Sequence, residues 1–280
     1  MLWPLPVLAD GPRLALLGGD EAFQARFGAA LAEQLVERGE GEIGWQAPRR
    51  SDLIVALGDD AFTRALSYQR PVIGVFVSRD VALEAYSAGC ACTAFFAEAD
   101  PVRQLRLARL MFPAAQRIGL VTGPHSAWAA GLLQTDAESA GLILVHEAVA
   151  GPADMARQLP RLLSRVDLLI AVGDSALYGP DTARTVLLTS YRQGRPVIGP
   201  DEFFVQAGSV ATTYTGGADM VEQVADTISR FRRRGAARGR LPPPDFGSRF
   251  SVRVNEHVAR TYDVPERDAD ALAADLEAGW

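Results

Sequence analysis

The sequence predicts an α/β protein made of two lobes, each built around a parallel sheet. An ordered set of three motifs occurs in each half of the chain: RLALLGG, SDLIVALGD and QRPVIG in the first, then RIGLVTG, VDLLIAVGD and GRPVIG in the second. Continuous apolar runs alternate with segments of helical periodicity, which is typical of right-handed βαβ crossovers. The repeat is too long for a solenoid, whose units span about 20–50 residues, so two similar lobes are favoured.

In the first half, the pattern predicts three buried strands, each ending in a turn that begins with Gly or Ser. The predicted elements are strand 14–17, helix 22–38, strand 42–46, strand 53–57, helix 61–68 and strand 72–77. The pattern assigns no element to residues 80–99. Ligands of open parallel sheets bind at the carboxyl ends of the strands, where the turns at Gly18, Gly58 and Ser78 are expected.

The second half repeats this alternation after a connecting helix. We predict helix 100–111, strand 118–122, helix 127–140, strand 142–146, helix 152–164, strand 168–172, helix 181–192, strand 196–199, helix 218–233, strand 250–254 and helix 255–262, followed by an acidic, Ala-rich tail. The chain is expected to cross between lobes near Asp100 and Thr213. Lobe 1 is therefore predicted to hold 10–100 and about 215–235, and lobe 2 to hold 113–212 and about 240–280.

The composition is that of a globular protein and argues against nucleic acid as a partner. Of 280 residues, 48% are hydrophobic and 22% charged, and the net charge is −6 with no lysine, whereas nucleic-acid binding needs a basic face. No apolar run is long enough to predict a transmembrane helix. Cys90 and Cys92 are expected to be small packed side chains rather than a disulfide. Val7 and Ala9 fit the end of a signal peptide, and an irregular N-terminus is the alternative.

No catalytic or metal-binding motif is present, so we predict no enzyme activity, no cofactor and no metal. The three histidines have no metal-ligand spacing, and neither a nucleophile elbow nor a phosphate loop occurs. Asp59 and Asp174 follow equivalent strands, where they fit either helix capping or ligand contact. Ser126, after His125, fits either an N-cap or an anion site at a helix start. Tyr178 is expected in a loop, and the aromatic candidates Trp128, Phe203 and Phe204 either pack or stack on a ligand.

The second half resembles the bacterial solute-binding proteins of ABC-type uptake systems, in the branch whose known ligands include aromatic amino acids. The resemblance lies in DPVRQLRLARLMFPAAQRIGLVTGPHS, in DLLIAVGDSALYGPDTARTVLLTSYRQGRPVIGPDEFFVQAGSVATTY and in FSVRVNEHVART, covering roughly residues 100–262. It implies a type I periplasmic binding protein-like fold, with two Rossmann-like lobes joined by a hinge and closing on a small ligand. It also implies a periplasmic location and a signal peptide.

The resemblance places ligand contacts on the turns of both lobes. Trp128 and Tyr178 are added to them because of their residue types and predicted positions. The candidate ligand-binding residues are therefore Gly19, Asp20, Gly58, Asp59, Ser78, Arg79, His125, Ser126, Trp128, Asp174, Ser175, Tyr178 and Asp201. The first lobe departs from the family pattern, because no room remains for a helix between strand 42–46 and Asp52. It is therefore predicted to be reduced, and an amino acid or another carboxylate is the expected class of ligand.

Three classes of function stay open at this point. The expected one is binding of a small solute for delivery to an ABC permease. The alternative is a periplasmic sensor module that presents its ligand state to a membrane receptor or signalling protein. An enzyme of doubly wound fold is the third, disfavoured because the turns offer Asp, Ser and His without a recognisable constellation.

Overall fold

The computed structural model describes residues 11–233 and 240–279, so the expectation for Val7 and Ala9 lies outside the described residues. The strands are β1 Arg13–Gly18, β2 Gly44–Trp45, β3 Leu53–Leu57, β4 Val72–Val77, β5 Cys92–Phe96, β6 Arg117–Thr122, β7 Ile143–Ala148, β8 Leu168–Ile170, β9 Val197–Ile198, β10 Ala211–Tyr214 and β11 Ser251–Val254.

The helices alternate with these strands along most of the chain. They are α1 Glu21–Glu37, α2 Asp59–Leu66, α3 Arg79–Ser87, α4 Pro101–Met111, α5 Trp128–Ser139, α6 Pro152–Leu163, α7 Ser175–Tyr178, α8 Pro180–Arg192, α9 Glu202–Ala207, α10 Gly217–Arg233, α11 Glu256–Thr261 and α12 Ala269–Ala278. No helix among the described residues is long and apolar enough to cross a membrane.

The chain divides into two compact units, and each contains one sheet. Of the described residues, the first unit comprises 11–97, 216–233 and 240–249, and the second comprises 98–215 and 250–279. The sheet of the first unit has the order β2-β1-β3-β4-β5 and is parallel throughout. The sheet of the second has the order β11-β10-β9-β8-β6-β7, with only β11 antiparallel to its neighbour. The predicted α/β class with two parallel-dominated sheets is confirmed.

Strand β3 shows why the sheet of the first unit is buried on both faces. All five of its residues are buried. Leu53, Val55 and Leu57 pack with α1 and α10 on one side, whereas Ile54 and Ala56 pack with α2 on the other. Alternate side chains of a strand point to opposite faces, so a continuous apolar run is what a doubly covered sheet requires.

Several elements have no counterpart in the sequence prediction. Helix α3 and strand β5 occupy residues 80–99, for which the pattern predicts no element. Helix α9 and strand β10 both follow the predicted strand 196–199, and α12 lies in the predicted tail. Small residues weaken the apolar periodicity in the segment VALEAYSAGCACTAFF. In α12, Leu272 and Leu276 join the core of the second unit, so the tail is an integral helix there.

Two local expectations differ from the structure. Cys90 and Cys92 were expected as unbonded packed side chains, but the structure joins them as a disulfide. Residues 240–249 were assigned to the second lobe, but they pack on the first unit: Asp245 N donates to Ala94 O at 3.0 Å, and Phe96 N donates to Asp245 O at 3.1 Å. A short parallel bridge at the edge strand β5 holds this segment, and such a backbone pairing leaves no pattern in the sequence.

Candidate functional site

Both sheets place the predicted site turns at their carboxyl edge. In each unit the chain leaves the first strand for one side of the sheet and then returns to the other, which creates a switch point where ligands of α/β sheets bind. The switch point lies between β1 and β3 in the first unit and between β6 and β8 in the second. Asp20 and Gly58 follow the first pair of strands, and Ser126 and Asp174 follow the second pair.

A buried hydrogen-bond network connects the two turns at the switch point of the second unit. The Ser126 hydroxyl donates to Asp174 Oδ2 at 2.6 Å and accepts from Gly123 N at 2.9 Å. Asp174 Oδ1 accepts from Ala176 N and Leu177 N at 3.2 and 3.3 Å, which caps α7. Ser126 is fully buried, and Asp174 is 7% exposed. Asp174 therefore caps α7, as one of its two alternatives predicts, and it also ties the two turns together.

Ser126 does not cap a helix with its side chain. Helix α5 begins at Trp128, its N-cap residue is Ala127, and no side chain provides the cap. The N-cap alternative for Ser126 is wrong because its hydroxyl is already used across the switch point. A serine after a strand looks the same in sequence whether its partner is the next turn of helix or a carboxylate 48 positions away.

Tyr178 also braces this edge of the sheet. It was expected in a loop, but it ends α7 and is 2% exposed, with its ring edge-on to Phe204 at 6.0 Å between centroids. Its hydroxyl donates to Val121 O at 2.9 Å. Burial, and then the negative charge of Asp174, raise the pKa of Tyr178 far above its ordinary value, so the hydroxyl keeps its proton and remains a donor.

The first unit arranges its carboxylates differently. Asp20 caps α1 by accepting from Phe23 N at 2.8 Å and is exposed. Asp59 is the first residue of α2 and gives no side-chain cap. Its Oδ1 instead accepts from Ser78 N at 2.7 Å, and its Oδ2 is hydrogen-bonded to the Ser78 hydroxyl. Asp59 thus holds the turn that follows the neighbouring strand β4.

Arg79 is the single cationic side chain among the predicted site residues. It opens α3, is half-buried, and lies with its guanidinium carbon 6.0 Å from the ring centroid of Phe96. The chain reaches it through Phe76, whose φ of +54° falls in the left-handed region and coincides with a break in the β4–β5 register. Strained residues of this kind cluster at functional sites. Sequence reasoning missed Phe76, because nothing in its residue type signals a positive φ.

A second residue that the sequence did not reveal is Gln104 in α4. It is 1% exposed, and its amide nitrogen donates to Gly199 O at 2.9 Å and to Thr212 Oγ1 at 2.8 Å. Its amide oxygen accepts from Thr213 N at 3.0 Å. Gln104 therefore fixes the start of the turn that carries Asp201, which is itself exposed and caps α9 through Phe204 N.

The candidate residues divide into a buried bracing set and an accessible set. Ser126, Asp174 and Tyr178 are buried, whereas Gly58, Asp59, Ser78, Arg79 and Trp128 are half-buried, and Gly19, Asp20, His125, Ser175 and Asp201 are exposed. Trp128 donates from its indole nitrogen to the backbone carbonyl of His125 at 3.0 Å, so these two aromatic side chains share one turn. The accessible set offers aromatic faces, hydroxyls, carboxylates and one guanidinium.

The edge strand β7 of the second unit adds one titratable side chain, His146. His146 Nε2 lies 2.7 Å from the hydroxyl of the fully buried Thr122, at the end of β6. Partial burial of the ring lowers the pKa of His146, and the nearby Glu147 acts in the opposite direction. Within the described parts of the chain, no group of three or more His, Cys, Asp or Glu side chains is placed to hold a metal ion.

Solved structures of substrate-binding proteins share this fold. A substrate-binding protein with adhesive properties from Clostridium difficile, in its ligand-free open form, matches with a TM-score of 0.71 and 14% identity over 92% of this chain and 96% of that chain. A domain from Streptococcus pneumonia in complex with L-Trp matches with a TM-score of 0.60 and 16% identity over 94% and 98%. An ABC transporter substrate-binding protein from Desulfitobacterium hafniense gives 0.59 and 11% over 87% and 96%.

These likenesses extend over nearly the whole of both chains, but the identities are too low to show more than the fold. No protein-family model matches this chain, and no curated protein matches it. The fold that the resemblance implies is thus confirmed, since the chain has the bilobal α/β fold of ABC transporter substrate-binding proteins.

Proposed function

We propose that this chain is a non-catalytic binding protein that takes a small carboxylate solute on turns at the carboxyl edge of a sheet. We propose further that it serves an ABC-type permease in the bacterial periplasm. The observation that supports this most is the pair of switch points in a fold shared with substrate-binding proteins. Hydrogen bonds hold the adjoining turns: Ser126 joins Asp174 across the second switch point, and Asp59 beside the first one holds the neighbouring turn at Ser78. Turns fixed before the ligand arrives cost less ordering entropy on binding.

The accessible residues suggest which contacts the solute makes. The Arg79 guanidinium suits a carboxylate, with which it forms charge-assisted hydrogen bonds. In the second unit, Trp128 and His125 offer aromatic surface of the kind that packs against an apolar group. Ser175 and Ser78 add hydroxyls, while Ser126, Asp174 and Tyr178 hold the turns in place. An aromatic amino acid, such as the L-Trp bound to the Streptococcus domain, is the first class of ligand to test.

The test is a thermal-shift screen of the purified chain with amino acids, aromatic carboxylates and sugars. A specific ligand at 100 times its Kd stabilises the folded state by about 2.7 kcal/mol, which gives a clear rise in Tm. We expect Arg79→Gln to weaken binding of a carboxylate hit by about tenfold, the loss of one charge-assisted contact.

Arg64→Gln is the matched control, since Arg64 is exposed in the last turn of α2 and belongs to none of the site turns. It should leave the Kd unchanged. Equal effects of the two substitutions would remove Arg79 from the site. A screen in which no compound raises the Tm would contradict the solute-binding proposal itself.

A sensor that reports its ligand state to a membrane receptor is the second candidate function. The feature that favours it is the short connection between β2 and β3, where only the 3-10 turn Pro48–Arg50 lies in place of a full helix. The resemblance seen in the sequence implies a helix at this place, so the short connection fits the predicted reduction of the first lobe. Crosslinking in cells to a permease subunit would support delivery, and crosslinking to a receptor or kinase would support sensing.

A further inference from the structure

We propose a second ligand site, on the helical layer of the second unit, for a small apolar molecule that carries an anionic group. Helices α8, α9 and α11 enclose a groove of about 560 Å³ there. None of its lining residues belongs to the turns assigned above, so this site is independent of the proposed solute site. Small-molecule sites in proteins typically measure about 300–1,000 Å³, and the groove falls in that range.

The walls of the groove are apolar and exposed. Leu187, Val258 and Tyr262 form the inner wall. Leu188, Tyr191 and Phe203 line the rim, with 42%, 63% and 44% of their surface exposed. Exposed apolar side chains that occur singly need no explanation, but three that surround one concave surface mark a binding site. Phe203, a stacking candidate from the sequence, thus lies in this groove.

A buried hydroxyl in the lining has no partner. Ser190 is 1% exposed, and its Oγ makes no hydrogen bond with any described residue. Two of the other three hydroxyls of the lining are used internally: Thr261 donates to Val258 O at 2.7 Å, and Tyr262 donates to Arg195 O at 3.4 Å. The third belongs to Tyr191, which is exposed on the rim. A buried polar group without a partner is costly, so a ligand atom that accepts from Ser190 would gain the missing hydrogen bond.

The charge of the lining selects an anion. Arg184 and His257 are its only ionisable side chains apart from the tyrosines, and no Asp or Glu lines the groove, although the chain as a whole carries a net charge of −6. Arg184 is exposed and forms no ion pair with the described residues, and a guanidinium beside an apolar wall favours a carboxylate or sulfonate.

The experiment uses two fluorescent probes that share an apolar skeleton. Anilinonaphthalene sulfonate is anionic, and phenylnaphthylamine is neutral. We expect the full chain to bind the sulfonate with saturation at one equivalent. Ala207→Trp, which places a large ring in the groove from the exposed end of α9, should weaken it at least tenfold. Gln206→Trp is the matched control, because Gln206 is exposed on the same helix but does not line the groove.

The charge selectivity is tested with Arg184→Gln. This variant should weaken the sulfonate by about tenfold and leave the neutral probe unchanged. Equal effects of Ala207→Trp and Gln206→Trp, or loss of binding in Arg79→Gln, would overturn the site. So would sedimentation showing a dimer that Ala207→Trp dissociates, since the groove would then be covered by a second copy. Failure of the solute screen leaves these outcomes unaffected, so the two proposals fail separately.

Discussion

In both units a glycine and an aspartate follow the central strand, yet Gly58-Asp59 after β3 and Gly173-Asp174 after β8 are used differently. Asp174 is buried and joins two turns of the same switch point through Ser126. Asp59 is half-buried and reaches across to Ser78, after the next strand. The same dipeptide at the same place in a duplicated fold therefore supports two networks, and their energies should differ with burial.

The glycines differ in the same way. Gly58 has φ +82° and ψ 170°, a conformation that is essentially restricted to glycine, and open space surrounds the place where a Cβ would lie. At Gly173 the obstacle is a neighbour: a Cβ would come within 2.6 Å of Glu98 Cγ and 2.8 Å of Glu98 Cβ. Backbone conformation demands the first glycine, and close packing demands the second.

The largest expected loss of stability comes from replacing the aspartates that follow the central strands. Asp174→Ala should lower the free energy of unfolding by about 3 kcal/mol, because the Ser126 hydroxyl and two backbone N–H groups lose a charged acceptor in a buried place. Asp59→Ala should cost about 1 kcal/mol, since water can replace the carboxylate at its half-exposed site. Urea denaturation of both variants checks this. Equal losses would show that burial does not distinguish the two networks.

Replacing the two glycines should cause an intermediate loss of stability. A second substitution, Glu98→Gly, should offset the loss at position 173 but not the loss at position 58. Gly58→Ala and Gly173→Ala should each cost about 2 kcal/mol, the first from backbone strain and the second from overpacking. Glu98→Gly removes the two side-chain atoms that lie nearest to the new methyl group at position 173. A double-mutant cycle should therefore show positive coupling of Glu98→Gly with Gly173→Ala and none with Gly58→Ala. Coupling of the same size in both cycles would contradict the packing explanation.

The smallest losses of stability are expected from replacing the aspartates that precede the central strands. Asp52 pairs with Arg13 at 2.6 Å on an exposed surface, whereas Asp167 accepts from Gln116 N and Arg117 N, both at 2.8 Å. Asp52→Ala should cost under about 0.5 kcal/mol and lose its effect in high salt. Asp167→Ala should cost about 1 kcal/mol and keep its effect there, because the strand start loses two hydrogen bonds.

The stabilisation that Asp52 and Asp167 each provide should decrease as the pH falls. The hydrogen bond from Arg13 lowers the pKa of the Asp52 carboxyl. Partial burial acts to raise the pKa of Asp167, but the backbone N–H groups of Arg117 and Gln116 lower it below its ordinary value overall. Both carboxylates thus stabilise the fold fully above the unfolded pKa of about 3.9, and this is lost as pH falls through the folded values. The free energies of unfolding of the wild type and of each Ala variant should therefore become equal in acid. A difference between them that grows as the pH falls would contradict the lowered pKa values.

Much of the architecture could be predicted because it depends on local patterns. Continuous apolar runs located β1, β3, β4, β6 and the start of β8, and the repeated motifs located the turns at both switch points. Elements with weak apolar contrast, such as α3 and β5, were missed because small residues carry little periodicity. The partners of the site carboxylates were also missed, since Asp59 and Ser78 lie 19 positions apart and Ser126 and Asp174 lie 48 apart.

The sequence by itself determined that this chain forms two parallel-dominated α/β units with glycine-aspartate turns after their central strands. Side-chain alternation and glycine conformations act over a few residues, so they are visible in any window of the chain. The tertiary structure alone decided that Ser126 bonds Asp174 rather than capping α5, that Gln104 holds the turn before Asp201, and that α8, α9 and α11 leave an apolar groove. Each of these depends on which distant atoms packing brings within hydrogen-bond or van der Waals distance, and burial then decides how much each contact stabilises the fold.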